Sequence, residues 1–308
     1  MINLAIVMSS YGVRVLLKLS RCVDEVVRGI TDIFARRYIP SFKVDSASKN
    51  LHYDAEVVWE VTDRGFDVAE VSLGVRDLFR VRSPPPMPYI NESPYFFLLQ
   101  VLSRQYLKKG YLMLTDSVSI YSKGRTYLLL GYPHTGKSTI LAIALAKGYT
   151  PLTTENTIVT VGDDGVEIIG GTDVLVFDPR VREVYGIDVP AEQRTRHGYG
   201  VVDLSRRRSM EKARVSAIYL LYCSYSSVGV SMSRVVGRKA VKTLWHFATS
   251  VIRGGDYYEP YPLNLSDRDL DVRLKELVNQ VAKRYRSSFF EIFGSHLEVF
   301  KEIIGGST

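Results

Sequence analysis

Residues 131–138 read GYPHTGKS, an uninterrupted GxxxxGKS that follows the apolar run 127–130 and precedes an apolar helical pattern over 139–147. That order suits a polyphosphate. A buried strand delivers the chain to a turn whose backbone N–H groups converge, and the helix that follows adds the positive end of its dipole. Gly131 and Gly136 let the backbone curl where a Cβ would collide with the ligand. Lys137 has the reach to neutralise β- and γ-phosphates, and the Ser138 hydroxyl suits a Mg²⁺ held between them. ATP and Mg²⁺ are therefore the expected ligands, with Gly131, His134, Thr135, Gly136, Lys137, Ser138 and Thr139 as nucleotide contacts. His134 falls where its ring faces either the transferred phosphate or solvent.

Elements of the right kind surround the loop. Residues 111–114 and 118–121 read as strands, and the turn Ser122-Lys123-Gly124-Arg125 joins the second of these to the strand entering the loop. Gly148 is placed to end the loop helix, a further hairpin is expected around Gly162-Asp163-Asp164-Gly165, and 174–177 and 217–223 read as strands. The polar, arginine-rich stretch 178–212 reads as a lid or a disordered segment. Residues 239–251 and 267–304 have helical periodicity, with Ser266 as an N-cap. Earlier in the chain, strands are expected at 3–8, 13–19, 56–61 and 68–73, and helices at 23–36 and 95–108. The proline run 84–88 reads as a stiff connector, so the expected division is a small N-terminal α/β module, 1–83, and a P-loop domain, 84–308.

Composition narrows the function classes. The chain has 308 residues, is 46% hydrophobic and carries a formal charge of +7, enough apolar content for a sizeable core. No apolar run approaches the roughly 20 residues that cross a bilayer, and residues 1–8 show no basic leader, so a cytoplasmic protein without membrane attachment is expected. Cys22 and Cys223 stand far apart with no CxxC, which argues against zinc and for a reducing compartment. The Asn264-Leu265-Ser266 sequon is discounted because, without a signal peptide, it has no route to the glycosylating machinery. Arginine outnumbers lysine, with Arg194, Arg196, His197 and Arg206–Arg208 as the densest cluster, and this hints at a thermophile. Nucleic acid is not the expected partner, because no nucleic-acid-binding motif accompanies the charge.

The order LLLGYPHTGKSTILAIALAKGYTPLTTEN resembles HPr kinase/phosphorylase and its relatives, whose phosphate loop sits in a phosphoenolpyruvate carboxykinase-like core. The resemblance covers roughly residues 95–222 and implies an α/β fold of α+β type with a mixed sheet. In that family a glycine closes the loop helix and a short strand then ends in an acidic pair. Here Gly148 and Leu152-Thr153-Thr154-Glu155-Asn156 fall at those places, with Thr154 where the first carboxylate belongs and Glu155 where the second does. The family histidine on the strand before the loop hairpin has no counterpart in 113–120.

One carboxylate holds metal while another takes the proton of the attacking hydroxyl. Glu155 can serve either role. If it joins Ser138 on Mg²⁺, the base comes from Asp116, His134 or Asp173. Asn156 is expected to orient the acceptor, and one or more of Arg180, Arg194 and Arg196 to close over the site or grip an acceptor carboxylate. The implied activity is transfer of the ATP γ-phosphoryl group to a serine-type hydroxyl. Free L-serine is the favoured small-molecule acceptor, ahead of a protein serine or a polyol, and oligomerisation is left open. A nucleotide-gated regulatory or nucleic-acid-binding NTPase is the alternative class.

Overall fold

A computed structural model of the chain describes residues 4–47, 52–206, 212–255 and 263–305. Arg207 and Arg208 of the arginine run lie outside the described residues. The protein is a mixed α/β chain with mixed sheets. It divides into two compact units, Met1–Gly110 with Thr249–Asp271, and Tyr111–Ala248 with Val272–Thr308.

In the first unit, β1 (Leu4–Ser10), β2 (Val13–Leu19), α1 (Val23–Thr31), α2 (Ile33–Tyr38), β3 (Lys43–Ser46), β4 (Ala55–Val61), β5 (Asp67–Ser72), β6 (Asp77–Ser83) and α3 (Ser93–Lys108) form a sheet in the order β3-β1-β2-β4-β6-β5 with three helices. The single helix expected over 23–36 is two. Asp32 is extended, at φ −57° and ψ 147°, and its side chain accepts from the Phe34 amide at 2.7 Å, so it caps a new helix. Residues 84–88, read from sequence as a connector, lie inside this unit. Asp77, wholly buried in it, accepts from Arg104 Nε at 2.7 Å and Gln105 Nε2 at 2.5 Å, the pairing that a buried carboxylate needs.

In the second unit, β7 (Tyr111–Leu114), β8 (Ser117–Ser122), β9 (Arg125–Leu130), α4 (Lys137–Ala146), β10 (Thr150–Thr153), β11 (Thr157–Gly162), β12 (Gly165–Gly171), β13 (Val174–Phe177), α5 (Arg180–Tyr185), β14 (Gln193–Arg194), β15 (Gly200–Asp203), β16 (Ala213–Ser224), β17 (Val230–Arg234), α6 (Gly237–Thr249), α7 (Arg268–Arg284), β18 (Phe289–Ser295) and α8 (His296–Gly305) follow in order. Strands β9, β16 and β18 run parallel, side by side, and β8 closes antiparallel on β9. Ligands in such sheets gather beyond the carboxyl ends of the parallel strands. Leu130, at that end of β9, pairs with Leu220 of β16.

Three expectations change here. The stretch 178–206 is not a bare coil, since α5, β14 and β15 lie within it, and Val181, Val189, Val201, Val202 and Leu204 are buried. These few apolar residues sit too far apart in polar sequence to show a period, yet each finds the core. Residues 267–304 are not helical throughout, because Phe289–Ser295 is a strand pairing with β16 and β17. Its aromatic and β-branched side chains favour an extended chain against a buried neighbour. Ser266 does not cap α7; the Asp267 carboxylate accepts from the Leu270 amide at 3.0 Å, and Ser266 Oγ donates to Asp271 at 2.5 Å.

Candidate functional site

The loop joins the carboxyl end of β9 to the amino end of α4, and each of its glycines has a steric reason. A Cβ on Gly131 would lie 2.3 Å from Thr135 Oγ1. A Cβ on Gly136 would lie 2.6 Å from His296 Cδ2 and 2.8 Å from Cys223 Cβ, and Gly136 has φ +96°. His134 also takes a left-handed conformation, φ 65°, and is exposed.

The loop is tied internally. Gly131 N–H donates to Asp116 O at 3.2 Å, Thr135 N–H and Oγ1 donate to Tyr132 O at 3.3 and 2.7 Å, and Cys223 N–H donates to Thr135 O at 3.0 Å. Two of the amides expected to face a phosphate, those of Gly131 and Thr135, are thus used by the turn. The first turn of α4 holds Lys137, Ser138 and Thr139, whose N–H groups have no carbonyl one turn back within the helix, the arrangement that suits an anion.

Lys137 is 6% exposed, and its ammonium donates to Asp116 Oδ1 at 3.0 Å, Gly131 O at 2.5 Å and Tyr132 O at 3.1 Å. Asp116, 4% exposed, lies in the β7–β8 turn at φ 48°, a conformation that a short Asp side chain tolerates. Asp116, one of the acids considered from sequence, is in direct contact with the loop lysine.

Glu155 and Asn156 occupy the buried connection between β10 and β11. The Thr172 hydroxyl oxygen accepts from the Glu155 and Asn156 amides at 2.8 and 3.1 Å and lies 3.0 Å from Thr154 Oγ1. Ser117 N–H donates to Glu155 O at 2.9 Å, so the main chain of Glu155 is fastened next to Asp116. Asp173 follows Thr172 and is buried, its carbonyl accepting from Leu204 N–H at 2.8 Å. Among the described residues, no group of three or more His, Cys, Asp or Glu converges as a metal cluster. Mg²⁺ in nucleotide sites needs only one or two carboxylates beside phosphate and water oxygens.

The arginines separate. Arg180 on α5 binds Asp178 through Nε at 2.8 Å and Nη2 at 2.5 Å and lies over the Tyr225 ring, 4.7 Å from its centre. Tyr225 in turn reaches Thr139 Oγ1 at 3.4 Å, which puts Arg180 beside the loop helix. Arg194 and Arg196 are exposed at the small β13-β15-β14 sheet, where Arg194 donates to Gly198 O at 3.3 Å.

Sequence reasoning missed His296, Tyr185 and Tyr225, which gather beside the loop with the buried Cys223. Tyr185 Oη accepts from the His296 amide at 3.3 Å and lies 3.0 Å from His296 Nδ1. The other ring nitrogen, Nε2, is the one that a Cβ at Gly136 would approach to 2.7 Å. Tyr225 packs 4.5 Å from the imidazole. Burial, with the Arg180 charge adding and Asp178 opposing, holds the His296 pKa down to about 4, and burial pushes the Cys223 thiol up to about 12. Cys223 is thus an inert packing residue.

His296 gives a pH test. Its proton is held at about 4 when folded and near 6.5 in the unfolded chain, so between those values the unfolded state binds more proton. The His296 contribution to stability is complete above pH 6.5 and is lost as pH falls toward 4, in all on the order of 3 kcal/mol. Urea midpoints measured from pH 7 to pH 4 are expected to fall more steeply for the wild type than for His296→Gln. Equal slopes would remove the buried neutral imidazole from the account.

No protein-family model matches the chain, and no curated protein shows significant similarity to it.

Proposed function

We propose that this protein is an ATP- and Mg²⁺-dependent phosphotransferase with an HPr kinase/phosphoenolpyruvate carboxykinase-like core, passing the γ-phosphoryl group to a hydroxyl. One observation carries the reading: a glycine-shaped loop at the carboxyl end of a parallel strand holds a buried lysine ammonium against a buried aspartate. In phosphoryl transfer the protein positions the reactants and neutralises charge. Lys137 would exchange the Gly131 and Tyr132 carbonyls for phosphate oxygens while keeping Asp116 within reach. Ser138 and Glu155 would hold Mg²⁺, which shields the charge on the phosphates. Asp116, already turned toward the loop, would then accept the proton of the attacking hydroxyl. Gly148 and the short strand β10 before Glu155 support the proposed core, since they reproduce the helix–glycine–strand–acid order.

Glu155→Gln is expected to lower turnover by at least ~10²-fold, the scale of a general acid–base or metal-ligand role. Retained turnover would move that role to Asp116 or Asp173. Incubation with γ-labelled ATP and a panel of free amino acids (L-serine first among them), polyols and cell-extract proteins is expected to label a hydroxyl acceptor. Label released only as inorganic phosphate overturns the kinase reading.

A further inference from the structure

We infer that a basic cavity beside the loop receives an anionic group of the acceptor, so that the acceptor is a small hydroxyl compound bearing a phosphate or a carboxylate. The inference deepens the phosphotransferase reading and rests on it for the identity of the ligand as acceptor. The cavity has a volume of about 410 Å³ and is lined by Tyr132, Tyr222, Thr243, Arg238, Lys239 and Lys242, together with Leu220.

Its position ties it to the chemistry. Tyr132 belongs to the loop, and its carbonyl accepts from Lys137 Nζ at 3.1 Å. Leu220 and Tyr222 stand at the carboxyl end of β16, where Leu220 pairs with Leu130, the last strand residue before the loop. Helix α6 is fixed along the same side. The Tyr132 ring packs 5.0 Å from His246 and 5.2 Å from Phe247, and Thr115, the neighbour of Asp116, donates its N–H to Phe247 O at 2.9 Å. One wall of the cavity is thus the loop, and the opposite helix is bonded to the turn that carries Asp116.

Its charge selects the ligand. Arg238, Lys239 and Lys242 stand within the first two turns of α6, and the first turn holds no acid. Cations at a helix amino end oppose the dipole, so this arrangement costs the free protein stability that an anion would return. A helix that breaks a local rule so plainly marks a place where function sets the residues. Lys239 pairs with Glu291, whose carboxylate also accepts from Ser233 Oγ at 2.8 Å, but Glu291 does not line the cavity, and the cavity has no acidic wall. Tyr132 and Tyr222 give the remainder of the wall an apolar, flat character, with Tyr222 itself stacked 4.6 Å from Phe293. A phosphate or carboxylate at α6 with its carbon chain along Tyr132 would present a hydroxyl toward Lys137 and Asp116.

The test titrates glycerol 3-phosphate, D-glycerate and uncharged glycerol into the wild type and into Arg238→Ala/Lys242→Ala by calorimetry. Each is run alone and with a non-hydrolysable ATP analogue, and the analogue itself is also titrated. Both replaced residues are exposed, and circular dichroism checks that the variant keeps its fold. At least one of the two anions is expected to bind the wild type while glycerol does not. The double variant is expected to weaken that anion at least 10-fold and to change analogue affinity less than 3-fold. Binding of the ester alone identifies a phosphorylated acceptor, and of glycerate alone a carboxylate one. Failure of both anions to bind, or equal binding to the two proteins, overturns the cavity proposal and leaves the loop reading standing. Anion binding that follows the cavity residues in a protein that takes no nucleotide sinks the kinase reading instead.

Discussion

Lys137→Met is expected to reduce phosphoryl transfer by ~10³-fold or more and, separately, to destabilise the protein. The first effect follows from removing the charge that meets the transferred group, where single positioned cations and donors are worth 10²–10³ or more. The second follows from burial. Lys137 and Asp116 are 6% and 4% exposed, so the substitution strands a carboxylate whose direct partner, at 3.0 Å, is gone. Removing one member of a buried pair costs about 3–5 kcal/mol, most of it the desolvation of the ion left behind. Asp116→Asn in the same chain is therefore expected to restore the greater part of the lost stability without restoring transfer. Urea unfolding of the two single variants and the double variant, read beside their rates, separates the two roles. If the double variant is no more stable than Lys137→Met, the pair does not act as a buried ion pair; if Lys137→Met keeps its rate, the loop is not the catalytic element.

The loop was legible because its glycine and lysine spacing can be read without any distant partner, and Gly136 does take a left-handed conformation, φ +96°. The strands 13–19 and 174–177 were equally plain, since each carries its own pattern. What could not be read depends on contacts distant in sequence. Asp116 was one of three candidate acids, and only the β7–β8 turn, closed by Ser117 Oγ donating to Leu114 O at 2.6 Å, turns it toward Lys137. His296 shows no local signal of a role, because its neighbours Tyr185 and Gly136 come from elements far back in the chain. The strand Phe289–Ser295 was hidden within a helical run for a related reason: its conformation is decided by β16 beside it, and single-residue preference is too weak to announce that. In α6 the helix itself was visible from periodicity, whereas the cavity that its three cations share with Tyr132 appears only in the fold.

Gly136→Ala is the sharpest test of how the loop keeps its shape. Two costs add at this residue. The left-handed backbone, φ +96°, suits glycine and strains any residue with a Cβ by about 1–2 kcal/mol. The new methyl would also stand 2.6 Å from the His296 ring and 2.8 Å from Cys223 Cβ, and overpacking of that kind typically costs a further 1–3 kcal/mol. Neither neighbour has easy retreat. His296 is bonded to Tyr185 on one side and packed by Tyr225 on the other, and Cys223 belongs to the buried strand β16, its N–H donating to Thr135 O within the loop itself. The methyl is therefore expected to displace the loop rather than its surroundings, carrying the first amides of α4 out of register and weakening ATP binding by ~10²-fold or more. His296→Ala in the same chain removes the nearer clash but not the backbone strain or the contact with Cys223, so it should return only part of that affinity. The measurement is the ATP dissociation constant of Gly136→Ala, His296→Ala and the double variant. Wild-type affinity in Gly136→Ala would mean that the loop does not need the conformation it adopts here, and recovery to the full wild-type value in the double variant would assign the whole effect to the imidazole.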